Sequence, residues 1–327
     1  MEAINEKGRA LNRAGKFLQT NLVLVVLVAL VVLTAVVEPR FVSSANIANI
    51  LRQFGPLAFV SLGMTFAIIA GFIDLSVAGI INLTVVVTIT LIDVIGQVPA
   101  LCAGILVGAG AGYLNSKILI SGGATTQARA LFITFGMSTI YGAIALLISG
   151  GSTKQLRSLG SDYSLFQSIG QDGFGILPVS FIIFLVCLVI LYIFQSKTYM
   201  GRAINLTGGN KKAANLAGIP VNRSITTIFT LSGLMAAVGA IVLFSRVTSA
   251  SPLIGEGYET NAILAVVVGG SSLLGGNGSV LKTVLGVLLV TLMSNCLNLL
   301  GVSTYMQVVV KGAILVIAIW LDNRRKA

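Results

Sequence analysis

The sequence predicts an all-α integral membrane protein with about ten transmembrane helices and both termini cytoplasmic. Three observations carry this prediction. Of 327 residues 56% are hydrophobic and only 9% are charged, with a mean hydropathy of +0.98, against roughly 25% charged in soluble domains. Ten acidic and 21 basic side chains cannot cover a water-facing surface, so the apolar excess faces lipid. Long charge-free intervals recur along the whole chain, and each is long enough to cross ~30 Å of hydrocarbon as a helix. Runs such as LVLVVLVALVVL do not alternate polar with apolar residues, which excludes barrel strands. Composition also excludes function classes. Soluble enzymes, nucleic-acid binders and disordered scaffolds do not look like this. With no histidine, a Ser-His-Asp hydrolase or a zinc site is ruled against, and Cys102, Cys187 and Cys296 sit in apolar runs as small packing residues.

The elements follow in order. Lys7, Arg9, Arg13 and Lys16 precede the first interval, 17–37, and place the amino terminus inside. The run is long and Glu38-Pro39-Arg40 follows without a small-x-small cleavage site, so it reads as an uncleaved span. Intervals 53–73 and 75–92 are separated by Asp74 alone. In 94–116, Gly104, Gly108 and Gly112 share one face at spacing four, the pattern that lets helices approach closely. Intervals 130–153 and 173–196 come next, then the most basic loop, 197–223, which falls inside by parity and by charge. Span seven is 224–245. Span eight, 260–281, ends in GGSSLLGGNGS and is expected to be short, broken or re-entrant, with its glycines building irregular backbone. Interval 283–310 is too long for one crossing and divides at Gly301-Val302-Ser303, so a tenth span runs from about Thr304 to Leu321 across Lys311. Arg324, Arg325 and Lys326 then lie inside. The chain is one domain, 1–327, and its net charge of +11 follows from this topology.

Three functional readings fit such a chain: a membrane-embedded enzyme, an ion-coupled secondary carrier, and the pore subunit of a pump driven by another protein. No nucleophile–base pair or metal cluster is present in the sequence. Ion-coupled carriers place titratable groups in their spans, and only Lys311, Asp74 and Asp93 qualify here. No G-x-x-x-x-G-K-[ST] phosphate loop occurs, so energy for uphill transport must come from outside the chain. Loop 197–223 is the place to receive it. Gly208-Gly209-Asn210 reads as a turn, Lys211 to Ala217 as a short helix, Gly218 as its carboxyl cap and Pro220 as its stop. A solvated basic loop would look similar, but Ala213, Ala214 and Ala217 offer a small-residue surface that seats in a partner's groove. Asp74, with Ser76 beside it, reads either as a cap on the following helix or as a break in a helix lining the path. Asn82, Asn295, Asn298 and Gln307 read either as interhelical hydrogen-bonding groups or as neutral contacts for a polyhydroxylated solute. Asn82, Asn295 and Asn298, together with Asp74 and Ser76, are the path candidates. Lys311 faces the path or snorkels to the headgroups.

Four stretches, GMTFAIIAGFIDLSVAG at 63–79, GRAINLTGGNKKAANLAGIPVNR at 201–223, GYETNAILAVVVGGSSLLGGNGS at 257–279 and NCLNLLGVSTYMQVVVKGAI at 295–314, resemble the permease subunits of bacterial ATP-binding-cassette importers of the ribose type. The resemblance spans essentially the whole chain. It implies a multi-pass inner-membrane permease subunit, paired with an identical or related permease. Two cytoplasmic ATPase subunits would bind the ATP, and a periplasmic binding protein would deliver a sugar or similar small polar solute. It implies no cofactor, metal or catalytic residue of the chain's own and no nucleic-acid partner. Onto Gly201, Arg202, Gly208, Gly209, Asn210, Ala213, Ala214 and Gly218 it carries the role of docking the ATPase. The chain departs from the family pattern in having Lys211 where an acid is common after Gly-Gly-Asn, and Phe72 and Ala78 in the stretch that otherwise reads GGIDLSVG. The alternative is a self-sufficient ion-coupled carrier.

Overall fold

The computed structural model describes residues 22–123 and 126–324; Lys7, Arg9, Arg13, Lys16, Arg325 and Lys326, on which the placement of the termini rests, lie outside them. The apolar intervals are helical throughout: α1 (Leu22–Val37), α2 (Ser44–Ile69), α3 (Val77–Ile95), α4 (Gln97–Ser121), α5 (Gln127–Ser149), a short surface helix α6 (Ser164–Gln171), then α7 (Val179–Lys197). The loop 197–223 holds α8 (Tyr199–Gly209) and α9 (Lys211–Leu216), and α10 (Val221–Val247), α11 (Tyr258–Val268), α12 (Val280–Leu299) and α13 (Thr304–Arg324) complete the chain. Seven of these, α2 to α5, α7, α10 and α12, are long and apolar enough to cross a membrane, while Leu27–Val37, Tyr258–Val268 and Thr304–Trp320 are shorter apolar stretches.

Local sequence sets the helix ends. The Ser43 hydroxyl accepts from the Asn46 N–H at 3.2 Å to start α2, and Thr126 does the same for Arg129 at the start of α5. Gly150, at φ +60°, ends α5 in the left-handed conformation a side chain resists. Helix α10 lies at the centre and packs on α4, α2 and α3. Its fit to α4 uses the glycine stripe: a β-carbon at Gly108 would strike Ala237 and at Gly112 the Phe229 carbonyl, so these helices touch backbone to backbone as the spacing predicts. Helices α2 and α10 are largely buried, whereas α4, α5 and α7 expose most of their apolar surface, which is where lipid sits.

The bundle has two ends. At one, Gln97 Nε2 donates to Asp162 Oδ2 at 2.7 Å and Asp93 Oδ1 accepts from the Ser161 N–H. There Lys154–Gln155 (β1) also pairs antiparallel with Ser249–Ala250 (β4), and Gly173–Phe174 (β2) with Leu177–Pro178 (β3). At the other, basic end, the Gly276 N–H donates to Ile69 O at 2.7 Å, Gln127 Nε2 to Leu273 O, and Gln195 bridges Gly278 O and Val280 N. The loops predicted to share a side therefore do meet.

Two expectations are corrected. Gly208 and Gly209 do not form a turn; α8 continues through both and the chain bends only at Asn210. The eighth apolar interval, expected to be short or broken, is both, but its helix does not fill 260–281. The chain leaves β4, passes through successive turns over 252–257, and is helical from Tyr258 to Val268. At ~1.5 Å per residue the 11 residues of α11 cover about 16 Å, roughly half a bilayer. The glycine-rich stretch 269–279 instead lies at the basic end, against Ile69 and Gly208. The physical reason is Gly269 followed by Gly270, the latter at φ +94°, which end α11 well short of 281, while Pro252, Gly255 and Gly257, the last at φ +83°, keep 252–257 non-helical.

Candidate functional site

Non-helical backbone inside a membrane protein must find partners within the protein, and here it does. The Gly255 N–H donates to Asn82 Oδ1 at 2.7 Å, with Gly255 packed so closely on Ala78 O that a β-carbon has no room. Asn82, 4% exposed, thus holds the turn segment 252–257 in place. The position of that segment lets α11 begin partway through the bundle. Tyr258 and Asn261 on its first turns then face a cavity of about 320 Å³ between α2, α11, α12 and α13. Gln53 and Leu57 of α2 line it, with Arg246 from the end of α10, Thr291, Ser294 and Asn298 from α12, and Thr304, Gln307 and Lys311 from α13.

Apart from Leu57 and Val290, every group on this wall carries a hydrogen-bonding atom. Arg246 and Lys311 make no ion pair among the described residues. The volume is at the lower end of small-molecule sites, about 300–1,000 Å³. Lys311, open between path and headgroups in the sequence, stands on the cavity wall.

The other amides have different neighbours. Asn295, 1% exposed, exchanges two hydrogen bonds of 3.0 Å with Asn46, a closed pair between α12 and α2 that leaves nothing for a solute. Asp74 and Ser76, both fully buried, lie in the break between α2 and α3, away from the cavity. Asp74 Oδ1 accepts from the Ser76 N–H at 3.0 Å and from the Ser76 hydroxyl. Asn115 of α4 donates to Ser76 Oγ at 2.7 Å and accepts from the Tyr141 hydroxyl of α5 at 2.8 Å. This chain of contacts ties the break to three helices.

At the basic end, Thr198 caps α8 by accepting from the Gly201 N–H at 3.0 Å, and a β-carbon at Gly201 would strike the carbonyls of Phe194 and Gln195. Arg202 is exposed. Gly208 presses its backbone on Ile69 O, while nothing lies within 4 Å of a β-carbon at Gly209. Asn210 Oδ1 accepts from the Ala213 N–H at 3.0 Å, starting α9. Gly218, at φ +77°, closes it, with Gly218 N bonded to Asn215 O and Ile219 N to Ala214 O, the paired bonds of a glycine-capped helix end. Ala214 is 5% exposed and faces the bundle; Ala213 and Ala217 face outward with Leu216, which is 90% exposed. Burial pulls the Lys211 ammonium down to about 8.

Sequence reasoning missed Leu216, Asn115, Tyr141 and most of the cavity wall. An exposed leucine in a basic loop was visible as a residue but not as exposed. Arg246 and Tyr258 border the charge-free intervals 224–245 and 260–281 and were counted as loop, because α10 runs on to Val247 and α11 starts already at Tyr258, boundaries that composition does not mark.

The chain matches the family model described as branched-chain amino acid transport system / permease component over residues 46–319. It is 37% identical over 299 residues to the ribose import permease protein of Bacillus subtilis, covering 91% of each chain. It is 33% identical over 305 residues to that of Escherichia coli K12, covering 92% of this chain and 93% of the other. To the L-arabinose transport system permease protein of Escherichia coli K12 it is 34% identical over 304 residues, covering 93% of this chain and 90% of the other. Since the matched model and these relatives span most of a helical, lipid-facing chain, the protein belongs to this permease family, as a ribose-type, multi-pass inner-membrane member of the ATP-binding-cassette importers.

Proposed function

We propose that the chain forms the translocation path for a sugar or similar small polar solute in an ATP-driven importer. It binds no cofactor itself: two ATPase subunits hydrolyse ATP on the cytoplasmic side, a second permease completes the path, and a periplasmic binding protein delivers the solute. The observation that carries this reading is the cavity of about 320 Å³ walled largely by amides and hydroxyls, set in a bundle whose basic end carries the short helix α9 with Ala213, Leu216 and Ala217 exposed.

The chemistry supports it. Gln53, Asn261, Asn298 and Gln307 each offer a donor and an acceptor, Thr291, Ser294 and Thr304 one hydroxyl each. A polyol trades water for these groups at about 1 kcal/mol net per bond, which lets it enter without being trapped. Sugar names of the relatives agree with such a wall. The turn segment 252–257, pinned by Asn82, and short α11 form one side of it, so a shift of α11 against α12 opens or closes the space. In this scheme ATP-driven closure of the partners pushes on α9, and the bundle rocks to release solute inward.

The test is reconstitution. Permease with its ATPase partners and binding protein in vesicles should accumulate sugar only with ATP. Permease alone that accumulates sugar under an ion gradient would overturn the reading in favour of a secondary carrier.

A further inference from the structure

Lys211 and Phe72 touch each other. Lys211 opens α9, and its Nζ stands 3.5 Å from the centroid of the Phe72 ring. Phe72 is fully buried, 0% exposed, and sits in the break between α2 and α3 immediately after Gly71, whose φ of +74° turns the chain out of α2. The same ring meets Phe229 of α10 edge to face, with ring centroids 5.7 Å apart at 61°. The ammonium is therefore over the face of a ring that is wedged into the central helix, the geometry of a cation–π contact.

The surroundings make this contact rigid. Gly208 backs onto Ile69 O, Gly275 onto Gly71, and the Gly276 N–H donates to Ile69 O at 2.7 Å. Three backbone segments are thus clamped together with no side chain between them, so the end of α8 cannot slide independently of the break. Two residues beyond Phe72, Asp74 begins the buried chain through Ser76 and Asn115 to Tyr141 that links α3, α4 and α5. Packed, two-sided contacts of this kind transmit displacement because close-packed interiors do not deform smoothly.

We infer that the Lys211–Phe72 contact is the mechanical link by which movement of α9 enters the bundle, with Lys211 and Phe72 as positioning residues of coupling and not as solute or ATPase contacts. The inference rests on the ATP-driven reading above. Displacement of α9 pulls on the Phe72 ring, which moves Phe229 of α10 on one side and the Asp74 network on the other. Exposed Ala213, Leu216 and Ala217 remain free for the partner, so docking and transmission use different faces of one short helix.

The experiment has two parts. In the isolated permease, thermal unfolding is measured for Lys211→Met, Phe72→Leu and the double variant. The two effects are expected to be non-additive, as for residues in direct contact; additive effects would refute the contact. In the complex reconstituted with ATPase subunits and binding protein, Lys211→Met should keep its ATPase on purification and hydrolyse ATP. It should import about three- to tenfold less solute per ATP, the range expected for losing one such contact. Lys211→Arg, which keeps a cation over the ring, should restore the ratio. An unchanged ratio in Lys211→Met, or no rescue by arginine, overturns the transmission role. A wild-type complex that takes up solute without ATP would overturn the transport reading instead, while the unfolding cycle still reports on the contact.

Discussion

Asn295 and Asn298 stand three residues apart on α12 and differ in what they touch. Changing each to alanine separates packing from passage. Asn295→Ala removes two hydrogen bonds of 3.0 Å and leaves Asn46 Oδ1 without its donor, although Asn46 Nδ2 keeps Phe41 O at 2.9 Å. At roughly 0.6–1 kcal/mol per bond within a membrane bundle, plus about 1 kcal/mol for the stranded oxygen, the loss is about 2–3 kcal/mol. By the size scaling of thermal unfolding, that lowers Tm by on the order of 5 °C. Asn298 lies on the cavity wall and is exposed there, so Asn298→Ala should move stability by less than about 0.5 kcal/mol. It should weaken uptake three- to tenfold, for one lost bond of about 1 kcal/mol to a solute hydroxyl. The assays are thermal unfolding in detergent and ATP-driven uptake normalised to folded permease. An Asn295→Ala protein with unchanged Tm but no uptake, or an Asn298→Ala protein that is destabilised yet transports normally, would refute the division drawn here.

Other outcomes are expected elsewhere. Gly208→Ala places a β-carbon against Ile69 O and Gly276 N and should abolish uptake, whereas Gly209→Ala, with open space around it, should behave as wild type; uptake and membrane insertion measured together distinguish them. Leu216→Ser should reduce co-purification of the ATPase several-fold while leaving Tm unchanged, because this 90% exposed side chain touches little of its own chain. Lys211, held near 8 in the folded chain against an ordinary 10.5, loses its proton in the fold before it does in the unfolded chain. Its contribution to stability therefore rises between about pH 8 and 10.5 and is lost as pH falls through 8. The charged-ring contact weakens on the same rise, so solute imported per ATP should drop from pH 7 to pH 9 in wild type but not in Lys211→Arg, read as uptake and hydrolysis in parallel.

The sequence by itself determined the membrane class, the order and approximate place of the helices, which loops gather at one end, the α4 glycine stripe and the cap at Gly218. Each of these is written in local patterns: charge-free length, Lys/Arg bias, a spacing of four, a glycine after a helix-forming run. The short helix closed by Gly218 was legible for the same reason, although which face of α9 is outward was not. What an amide does depends on a partner far away in sequence. Asn295 meets Asn46 and Asn82 meets Gly255, across separations of 249 and 173 residues, so nothing nearby could distinguish these two from Asn298. The non-helical entry over 252–257 was hidden likewise, because hydropathy reports how apolar a segment is and not whether its backbone is helical; Asn82 supplies the hydrogen bond that makes the irregular entry possible. Only the tertiary structure decided which polar groups are spent on each other and which are left facing open space, since that choice is made by the packing of α2, α11, α12 and α13 together.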